Sequence, residues 1–158
     1  MKFIKQIFLL GLGALMIAGC TSPEVRMHKA AFHGNARTVQ HHLERGVSAN
    51  AMTRSGTTSL HAAAYRGNAA VIDLLLLHGA NPNLVDGRGW IPLHQAVDQG
   101  NGFVVEMLIK AGVNVNTRMG GTGYTALDWA NHRQWPGVAN LIRKHGGHTS
   151  AELNAGRN

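Results

Sequence analysis

The sequence predicts an all-α fold: a solenoid of about four helix-turn-helix repeats joined by short β-hairpin-like turns. Four in-phase series of residues predict it. His28, His61 and His94 stand 33 residues apart. The pairs Gly34-Asn35, Gly67-Asn68 and Gly100-Asn101 keep that interval, as do Gly46, Gly79 and Gly112. Asn50, Asn83 and Asn116 follow the same beat. A period of this length marks supersecondary units too small to bury their own apolar faces, so stacked neighbours must complete the core.

One period shows how each element arises. Thr58 can start a helix through Ser59-Leu60-His61-Ala62-Ala63, whose alanines let a neighbouring helix approach closely. Gly67 suits a left-handed residue just past that helix, and Asn68 is placed to cap the next one. Val71, Ile72, Leu74, Leu75 and Leu76 give the second helix a broad apolar stripe, with Asp73 on the far side. Gly79 ends it, with His78 where positive charge favours a helix C-terminus. The Asn, Gly and Asp residues that follow read as a turn into the next unit. Phe103, Val104, Val105, Met107, Leu108 and Ile109 repeat the stripe one period later.

The third unit opens Ile91-Pro92-Leu93-His94-Gln95-Ala96, preceded by Asp86-Gly87-Arg88-Gly89-Trp90. These motifs resemble the ankyrin repeat, whose opening reads Thr-Pro-Leu-His-x-Ala after Asp-x-x-Gly-x. The resemblance spans about residues 23–146, with units near 23–50, 51–83, 84–116 and 117–146. It implies an ankyrin-repeat solenoid in which the recurring histidine hydrogen-bonds backbone between units. A catalytic base would occur once, beside a nucleophile within its reach.

Residues 1–19 are of another kind. Lys2 and Lys5 form a basic head, and Ile7 to Ala18 is an uncharged apolar run, the layout of a secretory signal and too short for a membrane span. The closing Ile17-Ala18-Gly19-Cys20 resembles the bacterial lipobox, which implies cleavage before Cys20 and its acylation. The alternative is an ordinary signal peptide with an incidental cysteine. Cys20 is the single cysteine, so no internal disulfide can form. Thr21, not Asp, follows it, which by the same resemblance implies sorting to the outer membrane, facing the periplasm. Residues 20–22 make a very short tether, because Ser22-Pro23-Glu24 reads as a helix start. Acyl chains at Cys20 would hold the first repeat close to the bilayer. Removing residues 1–19 takes Lys2 and Lys5 and leaves 13 basic side chains against 8 acids, a formal +5. That balance suits anionic headgroups or an acidic partner. Export, the dispersal of the basic residues and the lack of a zinc-finger or RNA-binding signature argue against nucleic acid.

The terminal units depart from the pattern. His41 and His42 replace the counterparts of Leu74 and Leu75, as a polar end cap requires. Reading them as a metal site would need a third ligand, such as His33 or His28, and no familiar spacing supplies one. No metal and no cofactor is expected. In the fourth unit Asp128 replaces the histidine, 34 residues after His94, so one residue has been added. Gly120-Gly121-Thr122-Gly123 is the place for it, as a longer hairpin tip. A phosphate cradle would need a Lys-Ser/Thr pair and a preceding strand. Gln134-Trp135-Pro136-Gly137 replaces the Gly-Asn link, and Arg143 stands where Ile109 stood. Residues 147–158 are small and polar and predict a flexible tail.

Function then rests on side chains that stacking does not use. The ankyrin resemblance implies a protein partner on the concave face, made by hairpin tips and first-helix residues. Carried over, those positions are Arg54, Ser55 and Thr57, then Arg88 and Trp90, then Met119 and Tyr124. The first helices add Phe32, Tyr65, Asp98 and His132. Trp, Tyr and Arg dominate interface hot spots. The alternative has Trp90 and Tyr124 merely packing neighbouring hairpins. No Gly-x-Ser-x-Gly elbow, His-Glu-x-x-His or Walker loop is present, and the acids are scattered, so an enzyme is not expected. Three roles are compatible. The chain can be an immunity protein that neutralises a secreted antibacterial effector such as a phospholipase. It can support a periplasmic enzyme, for example in oxidative defence. It can also be a structural envelope lipoprotein.

Overall fold

The computed structural model describes residues 22–156, which form helices and turns with an isolated antiparallel bridge between Met52 and Thr58. In chain order the helices are α1 (Pro23–Phe32), α2 (Ala36–Glu44), α3 (Ser59–Arg66), α4 (Ala69–Leu77), α5 (Pro92–Asp98), α6 (Gly102–Lys110), α7 (Ala126–His132), α8 (Pro136–Lys144) and α9 (Ser150–Ala155). Cys20 and the expected signal segment lie outside the described residues.

Helices α1 to α8 pair as four antiparallel hairpins. The first members, α1, α3, α5 and α7, form one continuous row, each packed on the next. Their alanines make that spacing possible: Ala30, Ala31, Ala62, Ala63, Ala64, Ala96, Ala126 and Ala130 are all buried. Behind them the second helices contribute Val39, Ile72, Leu75, Val105, Leu108 and Ile142 to a single core that runs the length of the stack. Each unit thus borrows its apolar contacts from its neighbours.

Local signals set the helix starts. Thr58 caps α3 and Thr125 caps α7, each accepting an N–H from the residue three positions on while that residue's side chain takes the cap's own N–H. Ile91 has no hydroxyl, but His94 Nδ1 still accepts its N–H at 3.2 Å, and Pro92 fills the first turn. The cap expected of Asn68 is made by its repeat counterparts Asn35 and Asn101, which accept from Thr38 N and Val104 N at the starts of α2 and α6. Asn68 does not cap α4. Its amide instead reaches back one repeat and donates to the carbonyls of Ala31 (2.8 Å) and Phe32 (3.0 Å).

A second asparagine series laces the units together. Asn50 donates to Gly79 O and accepts from Asn81 N, at 3.0 and 2.7 Å. Asn83 does the same with Gly112 O and Asn114 N, at 3.3 and 2.6 Å. Asn116 completes the series with Gly146 O and His148 N, at 3.1 and 2.8 Å. Each asparagine satisfies one carbonyl and one N–H that the next unit's turn leaves without a backbone partner.

Backbone bonds at the hairpins locate the added residue. They close Thr53 N to Thr57 O, Asp86 N to Trp90 O and Met119 N to Tyr124 O. The opening positions keep the 33-residue beat and the closing ones do not, so the extra residue lies between Met119 and Tyr124. The hairpins also join end to end, through Gly87 N to Ser55 O (2.9 Å) and Gly120 N to Gly89 O (3.2 Å). A Cβ at Gly120 would collide with the carbonyl oxygen of Arg88.

The C-terminal segment differs from the flexible tail expected for residues 147–158, because residues 150–155 form helix α9. Arg143 holds Glu152 by both carboxylate oxygens, at 2.7 and 2.9 Å. Arg118 donates to Ser150 O and Asn154 Oδ1. Ser150 N donates to Asp128 Oδ2 at 2.8 Å, and Thr125 Oγ1 donates to His148 O at 2.7 Å. Arg143, which breaks the apolar pattern of α8, therefore serves this contact.

Candidate functional site

The first helices α1, α3, α5 and α7 and the hairpins that precede them bring residues of equivalent phase side by side. They are Phe32, Tyr65, Asp98 and His132 on the helices, with Arg54, Arg88 and the hairpin aromatics beside them. Two clusters result. At the N-terminal end Phe32 stacks on Tyr65, with centroids 6.2 Å apart and planes at 15°, and the Arg66 guanidinium lies 5.0 Å from the Phe32 centroid. At the C-terminal end Arg88 lies 4.7 Å over Trp90, which meets Trp129 edge-on at 5.6 Å. Trp129 stacks on His132 at 5.1 Å, and Tyr124 sits 6.5 Å from His132.

Between the clusters lies a groove of about 310 Å³ lined by His28, Phe32, Thr57, His61, Ala62, Tyr65, Arg88 and Gln95. Its position follows from one column of the repeat. Ala62, Gln95 and Trp129 occupy equivalent positions, so the surface is hollow beside the alanine and filled beside the tryptophan.

Buried charge supports the rim. Asp86 is almost wholly buried and accepts the N–H groups of Arg88 and Trp90 at 2.9 and 3.0 Å. The Arg88 guanidinium donates to the same carboxylate at 2.9 and 3.1 Å. Burial alone would raise the Asp86 pKa, but these N–H groups and the guanidinium hold it below the usual value. Asp86 thereby fixes Arg88 across the face of Trp90. Asp98 does similar work, accepting from Trp129 Nε1 at 3.1 Å and pairing with Arg133 Nε at 3.4 Å.

Two of the three recurring histidines, His61 and His94, are structural, whereas His28 is half-buried and lines the groove. His61 Nδ1 accepts the Thr58 N–H and Nε2 donates to Trp90 O at 2.9 Å; His94 Nε2 donates to Thr117 O at 3.1 Å. Both rings are buried, and burial lowers both pKa values, that of His94 to about 4. They are neutral at pH 7 with both nitrogens engaged, which leaves neither free to act as a base.

Of the sequence-derived site residues, Tyr65 and Arg88 line the groove, Trp90, Tyr124 and His132 join the ring clusters, and Arg54 is exposed. Ser55 and Thr57 share a hydroxyl cluster with Thr53, at 2.6 to 3.1 Å, and brace their own hairpin. Asp98 is partly covered and serves Trp129. Met119 does not belong: it is 2% exposed. The added residue falls after it, so Met119 is the counterpart of buried Asp86 and not of the exposed tip. Sequence reasoning missed Trp129 and Gln95. Their shared phase with Ala62, one residue past each recurring His or Asp, was the available signal. Among the described residues no group of three His, Cys, Asp or Glu side chains could hold a metal ion, and no helix is long and apolar enough to cross a membrane.

A stack of helical hairpins with one continuous row of first helices defines a repeat scaffold of the protein-binding kind. A family model described as ankyrin repeats (3 copies) matches residues 27–119 and again residues 79–152. The chain belongs to the ankyrin-repeat family. No curated protein is a significant match.

Proposed function

We propose that the protein is a non-catalytic binding module, anchored to the bacterial envelope by acylated Cys20, that grips another protein through a concave inner face. One observation carries the reading: Tyr65, Arg88 and Tyr124 remain exposed beside an open groove, backed by Phe32, Trp90 and Trp129, which pack partly against the stack. Tyr65 and Tyr124 remain 39% and 38% exposed. Large, few-rotor side chains held in place by Asp86 and Asp98 bind with little entropic cost. The signal layout and the lipobox-like tetrapeptide support export and anchoring, and residues 20–22 leave only a short tether before α1. A binder held that close to the bilayer suits an immunity role, interception of a secreted membrane-attacking effector such as a phospholipase, better than it suits a freely diffusing client.

The test is capture, by the mature domain, of the product of any secreted-effector gene found adjacent to the gene for this chain. Arg88→Ala, Trp90→Ala and Tyr124→Ala together should weaken that complex by at least tenfold while the helical signal persists. Unchanged affinity would place binding on another surface. An adjacent catalase or peroxidase gene, in place of an effector, would favour support of a periplasmic enzyme.

A further inference from the structure

The amino-terminal end of the stack carries a second concavity, of about 390 Å³, lined by Pro23, Arg26, His41, His42, Arg45 and Val47. Four of these six side chains are basic, and among the described residues no carboxylate lines the pocket. In the next repeat the positions of His41 and His42 hold Leu74 and Leu75, and the counterparts of His42 at Leu75, Leu108 and Ile142 are fully buried. An exposed end needs polar groups, but glutamine or serine would meet that need without gathering like charge. The gathering has a measurable consequence: the His42 pKa is lowered first by burial and then by the neighbouring His41, Arg26 and Arg45. The acids on the same helices are engaged elsewhere, Glu24 with the Ser22 hydroxyl and Glu44 with the Gln40 amide at 2.9 Å.

We propose that this pocket receives a phosphate oxyanion. Arginine forks and imidazole N–H groups match tetrahedral phosphate oxygens, and the volume lies in the range of small-ligand sites. Location narrows the source. Pro23 follows Cys20 by three residues, a reach of about 10 Å when extended, which puts the pocket level with the phospholipid headgroups if Cys20 is acylated. The headgroup source therefore rests on the anchoring proposed above, whereas phosphate recognition does not.

The test follows the His42 ring resonances of the full chain in phosphatidylcholine nanodiscs. One arm adds inorganic phosphate and the other replaces part of the lipid with phosphatidylglycerol. Saturable movement of the His42 signals, with a rise in its pKa, is expected in at least one arm. Response to phosphatidylglycerol alone assigns a lipid headgroup, and response to both assigns phosphate generally. Arg26→Gln with Arg45→Gln, both at exposed positions, should raise the half-saturating concentration at least tenfold. If the chain stays out of the discs, anchoring fails, and inorganic phosphate in free solution still reads the pocket. No saturable response in either arm, or an equal response in the double variant, overturns the proposal.

Discussion

Lowering the pH from 7 to 5 should remove about 2 kcal/mol of stability through His94 alone. The ring is fully buried, accepts the Ile91 N–H at Nδ1 and donates to Thr117 O from Nε2. Protonation would place a charge where only one of these contacts can be kept. Burial accordingly lowers its pKa from 6.5 to about 4. Between those values the unfolded chain binds the proton and the folded one does not. The stabilisation is therefore complete above about pH 6.5, declines as pH falls, and is exhausted near pH 4. Each pH unit in that window is worth about 1.4 kcal/mol, so the step from 6.5 to 5 gives the stated figure. His61 shifts in the same direction and adds to the fall. Urea unfolding at both pH values, for the native chain and His94→Gln, separates the contributions. The variant should be weaker at pH 7 by about 1–3 kcal/mol, having lost a buried partner, yet should fall less on acidification. Parallel pH dependence in the two proteins would refute the burial argument.

Three further outcomes are expected. Leu108→Ala removes a fully buried side chain from the middle of the stack and should cost about 2–5 kcal/mol in chemical denaturation. Gln134 holds φ 58 at the position where Gly34, Gly67 and Gly100 stand, so Gln134→Gly should leave stability unchanged or raise it by up to about 1 kcal/mol; a clear loss would mean that the side chain has a role of its own. Cys20→Ser should abolish labelling by a radioactive fatty acid, and normal labelling of that variant would remove the anchor from the proposal.

Much of the fold was legible because repetition multiplies weak signals. A single Gly-Asn pair suggests a turn; three pairs at one interval fix helix boundaries, and the positive φ values at Gly34, Gly67 and Gly100 follow from them. The row of first-helix site residues was legible for the same reason, since a fixed period carries Phe32 to Tyr65 and Asp98. Legibility failed where the period broke. The residue added between Met119 and Tyr124 left two alignments for the fourth hairpin, and the choice that exposed Met119 was the wrong one. Helix α9 was hidden by composition: its small polar residues bury nothing, and its order comes from Arg118, Asp128 and Arg143, which lie outside it.

The sequence by itself determined the all-helical stack and its unit length, because these depend on periodicity and local hydrogen bonding, and the ankyrin resemblance implied the structural role that His61 and His94 fill between units. Only the tertiary structure decided which side chains meet across units. Trp129 lies 39 residues from Trp90 and reaches it because α7 packs on α5, while Ala62 leaves the adjoining groove open. Contacts of that kind depend on side-chain volume at neighbouring layers, a quantity fixed only when the layers are brought together.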